Sequence, residues 1–564
     1  MWAGALLLAS CSIYGPDGGP TAGVLPDDQV AEAQRFRSLA DAYIDWNYAS
    51  NPVWATRDGV HDHDGSLGRW TREAIDGRIL SLQRYQGRLG AIEERALDDE
   101  SSYDFEILKL QIGSALLDLS DVRMWEKNPN FYREILSGGL YSLASLAFDT
   151  PERRMALASE RLKHVPEVLA AARENLKHPP RMYTEVAIEE FSGTHAFVKT
   201  SLLQAFAAVK DEAVRARFAE AQKPALEAIE KFVDWMRKDL LPASTGTFAL
   251  GADLYRRKVA FDEGIDLPID ELLRRGYDLL RSTQEQLKAA AGDRPVKALL
   301  RESSREHPSA ERLIPETQAM LDRLKAWASE VATVPADAAC RVQETPEFRR
   351  SMSFASMETP GPFEKVARDA YYSITLPDPS WSTDRQEQHL SFFNTYSLPL
   401  ISVHEAYPGH YTQFLRIQTV ASKVRKIFGC GSFSEGWAHY CEQLYAERHP
   451  DPALRLHQLQ LALVRICRYI AGIEMHAKGM TYEQAVEFFI NDGYMERVAA
   501  EREARRGTAD PTYLVYTLGK HEILKLRDEY FTRTGKSLKE FHDDLLATGY
   551  PPIPIARKIL FRER

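Results

Sequence analysis

The 564-residue chain has little cysteine: five residues at positions 11, 340, 430, 441 and 467, with no C-x-x-C pair among them. Four thiolates at such spacings build no zinc knuckle, so any metal site must draw on histidine and carboxylate. One disulfide, Cys430 with Cys441, is the pairing an oxidising compartment would allow. The sequence also lacks a concentrated basic stretch, and its net charge is -10. Nucleic-acid binding, which needs phosphate-neutralising Lys and Arg, is therefore set aside. No apolar run is long enough to span a bilayer as a permanent helix. Runs with the alternation of half-buried strands are scarce too, which excludes a sandwich or barrel. What remains, 44% hydrophobic and 27% charged residues, is the composition of a large folded enzyme-sized body.

The N-terminus carries a separate message. Ala3 to Ser10 is a short apolar run ending in Leu8-Ala9-Ser10-Cys11, followed by a Gly- and Pro-containing stretch from Gly15 to Gly23. That pattern reads as a lipobox and tether, although no basic residue precedes the run. The expectation is a signal segment at 1–11 and a tether at 12–30. Lipidation of Cys11 would anchor the chain in the bacterial cell envelope facing the periplasm.

From Asp28 to about Lys288 the pattern is one of successive amphipathic helices. In Arg161 to Leu176, for example, Leu162, Val165, Leu169, Ala172 and Leu176 recur at three- and four-residue steps among charged residues. Connectors fall at 177–181, 242–247 and 292–295. Between Val334 and Ser382 the prolines at 346, 360, 362, 377 and 379, with aromatic residues and Met between them, predict a minor β element beside a cleft. Helical patterns resume after Ser397, including Tyr482 to Glu496 and Tyr513 to Thr532. The expected fold is mostly α, a large bilobal body with a deep central cleft. A helical N-terminal lobe takes 31–335 and a catalytic zinc-binding lobe 336–564.

The chemistry is carried by His404-Glu405-Ala406-Tyr407-Pro408-Gly409-His410, a longer relative of the H-E-x-x-H zinc helix. Histidines six apart on a regular helix would diverge by about 240° and about 9 Å. Pro408 cannot donate to the carbonyl of His404, and Gly409 tolerates unusual dihedrals, so the helix should bulge or break between the histidines and bring them back to one face. Tyr407 and Tyr411 read as packing residues. A catalytic zinc wants a third protein ligand and an open position. Glu435, in Gly431-Ser432-Phe433-Ser434-Glu435-Gly436-Trp437-Ala438-His439-Tyr440-Cys441-Glu442, is the candidate, with His439 as the rival donor and Glu442 placed to orient a ligating imidazole. His61-Asp62-His63-Asp64 reads as a solvated loop at the cleft rim. His521-Glu522 lacks a second histidine, Lys525 standing in its place.

These segments resemble a bacterial family of metallopeptidases catalogued as domain of unknown function 885. His404 to His410 and Glu435-Gly436-Trp437-Ala438 match its two signature segments, and Tyr516-Thr517-Leu518-Gly519-Lys520 is similar to a third. Arg161 to Leu176 and Leu250-Gly251 to Tyr255 look like its helical lobe, so the likeness covers roughly residues 35 to 560. The resemblance implies a helical, cleft-containing body akin to thimet oligopeptidase and carboxypeptidase Taq relatives, and zinc-peptidase activity on short peptides. One Zn2+ held by His404, His410 and Glu435 would acidify its water, and Glu405 would take the proton. Tyr516 is the candidate oxyanion donor, with Tyr371 and Tyr372 as rivals. The competing readings are a metal-dependent amidase acting on a non-peptide amide and a non-catalytic binding lipoprotein.

Overall fold

A computed structural model describes residues 27–345, 350 and 354–563. The lipobox and Cys11 lie outside the described residues. Helix takes up 72% of the structure and strand 3%, so the fold is mostly α as the periodicity predicts. Helix starts follow local chemistry. Thr150 caps Pro151–Asn175 by accepting from the Arg153 amide, and Ser537 with Glu540 forms a capping box on Leu538–Ala547. Leu162, Val165, Leu169 and Ala172 are buried along Pro151–Asn175, and the helices on either side of the predicted connectors end at Asn175, Leu240 and Ala291. The pattern from Tyr482 to Glu496 is cut short: the helix stops at Asn491, and a second, Arg497–Ala509, follows after Tyr494 takes a left-handed conformation.

Four large apolar clusters make most of the body, with a small fifth around Leu400, Ala446 and Leu454. One fills the helices between Leu67 and Leu240. A second joins helices between Phe36 and Ile112 to Val424, Ile427, Phe428 and Ile555. A third packs Ala252–Glu263 and Ile269–Ala291 against Pro452–Ile473 and residues up to Leu518. The fourth surrounds the sheet and the helices of the His404 segment. The sheet consists of β1 (Cys340–Glu344), β2 (Ala355–Glu358) and β3 (Ala370–Ile374), with β3 in the middle, parallel to β1 and antiparallel to β2.

The segment following β2 is fastened to the N-terminal helices by two glycines. A Cβ on Gly59 would lie 2.3 Å from the Glu364 amide nitrogen, and one on Gly361 would lie 2.3 Å from the Arg57 carbonyl. Only glycine allows the backbones this close. Beside this seam His61 corrects the expectation of a solvated loop. Its Nδ1 is 2.9 Å from Asp64 and its Nε2 3.1 Å from Glu364, both carboxylates being buried. Asp64 also accepts from Thr56, which accepts in turn from the fully buried Arg161 at 2.6 Å. Burial works against a charge on His61, yet the two carboxylates outweigh it and raise its pKa to about 9. The His61 segment is thus a structural clasp joining residues 303 apart.

The Cys430–Cys441 pairing that an oxidising compartment would allow is not formed: Cys340, Cys430, Cys441 and Cys467 are free and buried. Cys430 and Cys441 bracket most of one helix, Gly431–Arg448. Eleven residues of helix separate Cα atoms by roughly 16 Å, beyond the ~7 Å a disulfide spans. The Cys430 thiol instead accepts from the Phe433 amide as the helix cap.

Candidate metal centre

The first histidine ends a helix and the second begins the next. Ser397–Glu405 stops after Glu405, residues 406–409 are non-helical with a cis Tyr407–Pro408 peptide, and His410–Thr419 starts afresh. The break is complete rather than a bulge. It is bridged by hydrogen bonds from the Gly409 amide to the Val403 carbonyl and from the Thr412 amide to the Ala406 carbonyl, at 3.0 and 3.3 Å. A Cβ on Gly409 would sit 1.9 Å from the His404 carbonyl oxygen, so the turn requires glycine. Trp437 braces the turn by donating to the Pro408 carbonyl at 2.9 Å. Tyr407 and Tyr411 are buried packing residues, as their setting suggests, with the Tyr411 hydroxyl donating to the Ala339 carbonyl.

The reversal turns both imidazoles toward Glu435. The Glu435 Oε2 lies 3.3 Å from His404 Nε2 and 3.5 Å from His410 Nε2. One ligand atom from each of the three falls within 4.8 Å of the others. Their side chains are 8, 12 and 28% exposed, and His404 lines the cleft. Among the described residues this is the single group of His, Cys, Asp and Glu able to hold a metal ion. The donor set, two imidazoles and one carboxylate, fits zinc with one position left open. Glu435 Oε2 is buried and faces only the two imidazole nitrogens at 3.3 and 3.5 Å, an arrangement that a cation held between them would satisfy.

A second ring of groups orients the first. His404 Nδ1 lies 2.7 Å from Glu442 Oε1, which also accepts from Arg465 at 2.8 Å, while Glu442 Oε2 lies 3.3 Å from His439 Nδ1. His404 therefore aims its other nitrogen at the site, the carboxylate–histidine relation common around metals. Burial would push the Glu442 carboxyl up, but Arg465, His439 and His404 hold it well below the carboxylate range. Burial likewise opposes ionisation of Glu435, and His404 and His410 reverse that effect. His439 does not join the ligand trio. It is fully buried on Glu442, and burial with the nearby Lys520 lowers its pKa to about 3. Burial raises the Glu405 carboxyl, with His404 and His410 opposing.

Tyr516 reaches this site through a helix crossing. Val515–Thr534 packs on Gly431–Arg448 so closely that a Cβ on Gly519 would lie 1.7 Å from the Ser432 carbonyl and one on Gly436 2.5 Å from the Gly519 backbone. The contact places Tyr516, one turn before Gly519, beside Glu435, one residue from Gly436. Burial raises the Tyr516 phenol and the Glu435 carboxylate raises it further. Arg506 donates to the Tyr516 oxygen at 2.9 Å, a partner no local pattern in the sequence announces. Of the rivals, Tyr371 points to the other side of the sheet toward Asp369, and Tyr372 is fully buried behind the site, accepting from Ser402 at 3.4 Å. Glu522 pairs with Lys525 at 2.9 Å and takes no part. His404, Glu405, Arg465 and Tyr516 line one cleft of roughly 2930 Å³, which also runs past helices of the first 200 residues.

The family described as "Bacterial protein of unknown function (DUF885)" matches residues 52–560. The chain belongs to that family. Among solved structures, this DUF885 chain is similar to "a putative lipoprotein of unknown function" from Shewanella oneidensis, at 25% identity and a TM-score of 0.77, covering 93% of this chain and 99% of that one. It is similar in fold to "the putative lipoprotein" from Colwellia psychrerythraea, at 18% identity and a TM-score of 0.77, covering 95% and 99% respectively. No curated protein matches. No helix among the described residues of the DUF885 chain is long and apolar enough to cross a membrane.

Proposed function

We propose that this DUF885 chain is a zinc-dependent peptidase that hydrolyses short peptides in the central cleft. The observation that carries the reading is the convergence of His404, His410 and Glu435 within 4.8 Å, with Glu405 next to the first ligand and Tyr516 beside the third. When bound, zinc supplies Lewis-acid chemistry, acidifying water and polarising a carbonyl. Glu405 is the base that takes the proton of the attacking water and returns it to the leaving amine. Tyr516, its oxygen already accepting from Arg506, keeps its own proton for the oxyanion that forms at the scissile carbonyl. Glu442 fixes the tautomer and orientation of His404. The cleft, at roughly 2930 Å³, is large enough to take an extended peptide of several residues.

The lipoprotein descriptions of the two similar structures support an envelope location, with anchoring through Cys11. A metal-dependent amidase remains the second reading, since the same groups cleave a non-peptide amide.

The test pairs metal analysis with turnover. Wild type should bind about one zinc and cut members of a mixed peptide library, His404→Ala should lose the metal, and Glu405→Gln should keep the metal while losing cleavage. Metal bound by wild type without any peptide cut would hand the site to the amidase reading, and no metal bound would end the zinc assignment.

A further inference from the structure

The walls of the cleft differ in charge. Although the chain carries a net -10, fourteen lysines and arginines line the cleft against eleven aspartates and glutamates. The excess gathers on the helix Arg497–Ala509, which turns Arg502, Arg505 and Arg506 to the cleft. Their three- and four-residue steps place them on one helix face.

The carboxylates around these arginines are already engaged. Glu503 accepts a bidentate pair from Arg468 at 2.6 and 2.7 Å, and the Tyr513 hydroxyl as well. Glu496 pairs with Arg301, and Glu387 lies 3.2 Å from His307. Asp510 is 3.8 Å from Arg506. Among the described residues no carboxylate pairs with Arg502 or Arg505, and both are exposed. Arg502 is nonetheless held in place: its guanidinium lies 5.1 Å from the centroid of the Phe354 ring. Stacking of that kind leaves the in-plane N–H donors facing outward, the geometry that takes a carboxylate in bidentate fashion. Arg506 ties the group to the reaction centre through its hydrogen bond to Tyr516, whose helix crosses that of Glu435 at Gly519.

We infer that Arg502 and Arg505, with Arg506 beside them, form a carboxylate-recognition site within the cleft, so that the preferred ligands are peptides carrying a carboxylate a short way from the scissile bond. This rests on the peptidase reading for its consequence, but not for the binding itself. Both the free C-terminus of a peptide and an acidic side chain present the required group. A guanidinium at the C-terminal end of a bound peptide would select for cleavage close to that end. Acidic side-chain recognition would give a sequence preference instead.

The experiment measures binding apart from turnover. Glu405→Gln protein, loaded with zinc, is titrated against N-terminally dansylated penta-alanine as the free acid, as the C-terminal amide, and as an amide with aspartate in the last position, followed by fluorescence polarisation. A charge-assisted hydrogen bond to a guanidinium covered by the bound peptide predicts roughly 10- to 100-fold tighter binding of a carboxylate peptide over the neutral amide. The added substitutions Arg502→Gln and Arg505→Gln should bring that ratio to about one. Selectivity for the free acid alone assigns the site to the C-terminus, and selectivity for the aspartyl peptide assigns it to side chains. Equal or absent binding of all three peptides, or a preference that survives loss of both arginines, overturns the inference. The wild-type chain is then offered the same peptides. Carboxylate-selective binding without cleavage removes the peptidase reading and leaves the site standing, whereas cleavage with no acid preference does the reverse.

Discussion

Replacing Glu442 with Gln changes almost nothing in shape and removes one buried charge. The side chain is fully buried, and its two oxygens serve three donors: His404 Nδ1 at 2.7 Å, Arg465 at 2.8 Å and His439 Nδ1 at 3.3 Å. A glutamine can keep its carbonyl oxygen toward His404 and Arg465 and turn its amide toward His439, whose free Nε2 allows the other tautomer. The hydrogen bonds therefore survive, and what is lost is the negative charge that makes His404 a stronger donor. Loss of such an outer carboxylate lowers metal affinity roughly 10- to 100-fold, about 1.4–2.7 kcal/mol. A further loss of about 1–3 kcal/mol in folding stability follows from leaving the half-buried Arg465 with a neutral partner. Zinc affinity is read by competition with a chromophoric chelator, and stability of the metal-free proteins by urea denaturation. A folded Glu442→Gln protein whose zinc affinity stays within about twofold of wild type would refute the orienting role, whatever happens to its stability.

Tyr516→Phe should lower kcat by roughly 10²- to 10³-fold with zinc content unchanged, as expected for one oxyanion donor; unaltered turnover would remove Tyr516 from the reaction. Gly519→Ala puts a methyl 1.7 Å from the Ser432 carbonyl, where ordinary contact begins at 3.4 Å, so the helices of Glu435 and Tyr516 must separate. A stability loss of at least about 1–3 kcal/mol, measured in urea, should accompany a fall in activity that approaches that of Tyr516→Phe once unfolding is allowed for. The His61 clasp gives a pH signature. Its folded pKa of about 9 stands above the usual 6.5, so its contribution is complete below pH 6.5 and is lost as the pH rises through about 9. Glu364, whose burial is outweighed by His61 and backbone donors, has a pKa of about 2, so its share persists above about 4.5 and fades as the pH falls toward 2. Chemical denaturation of wild type and His61→Gln across pH 5 to 10 should therefore converge at the alkaline end, and parallel curves would contradict the clasp.

Much of the architecture was legible because it is local. The apolar spacing of Leu162, Val165, Leu169 and Ala172 is the face that the Pro151–Asn175 helix buries, and the prolines after Val334 announce the region where helices give way to the three short strands. Pro408 and Gly409 marked the interruption between the histidines, since each is a local veto on regular helix. The structure goes further than a bulge, ending one helix at Glu405 and starting another at His410. The clasp of His61 with Glu364 was not legible, because its partner lies 303 residues away. A histidine between aspartates looks alike in solvent and in a buried network. The disulfide expectation failed for a related reason: two cysteines eleven apart are neighbours in sequence, but helix Gly431–Arg448 holds Cys441 about three turns from the Cys430 cap.

The glycines near the site connect these two kinds of information. Gly409, Gly436 and Gly519 each stand where a Cβ would meet backbone at 2.5 Å or less, and each sits inside one of the three segments that carry the candidate site residues. Read as sequence, HEAYPGH, EGWA and YTLGK are three separate strings, and only the polar residues in them suggest chemistry. In the structure the glycines set the distances between the polar residues. Gly409 lets the chain reverse so that His410 faces His404, while Gly436 and Gly519 let two helices touch so that Tyr516 stands beside Glu435. A substitution at any of the three would leave every candidate ligand, base and donor in the sequence and still move them apart. Zinc binding should accordingly suffer in Gly409→Ala, where the separation falls between two ligands. In Gly519→Ala it should hold better than turnover does, because Tyr516 moves away while His404, His410 and Glu435 keep their places on the other helices.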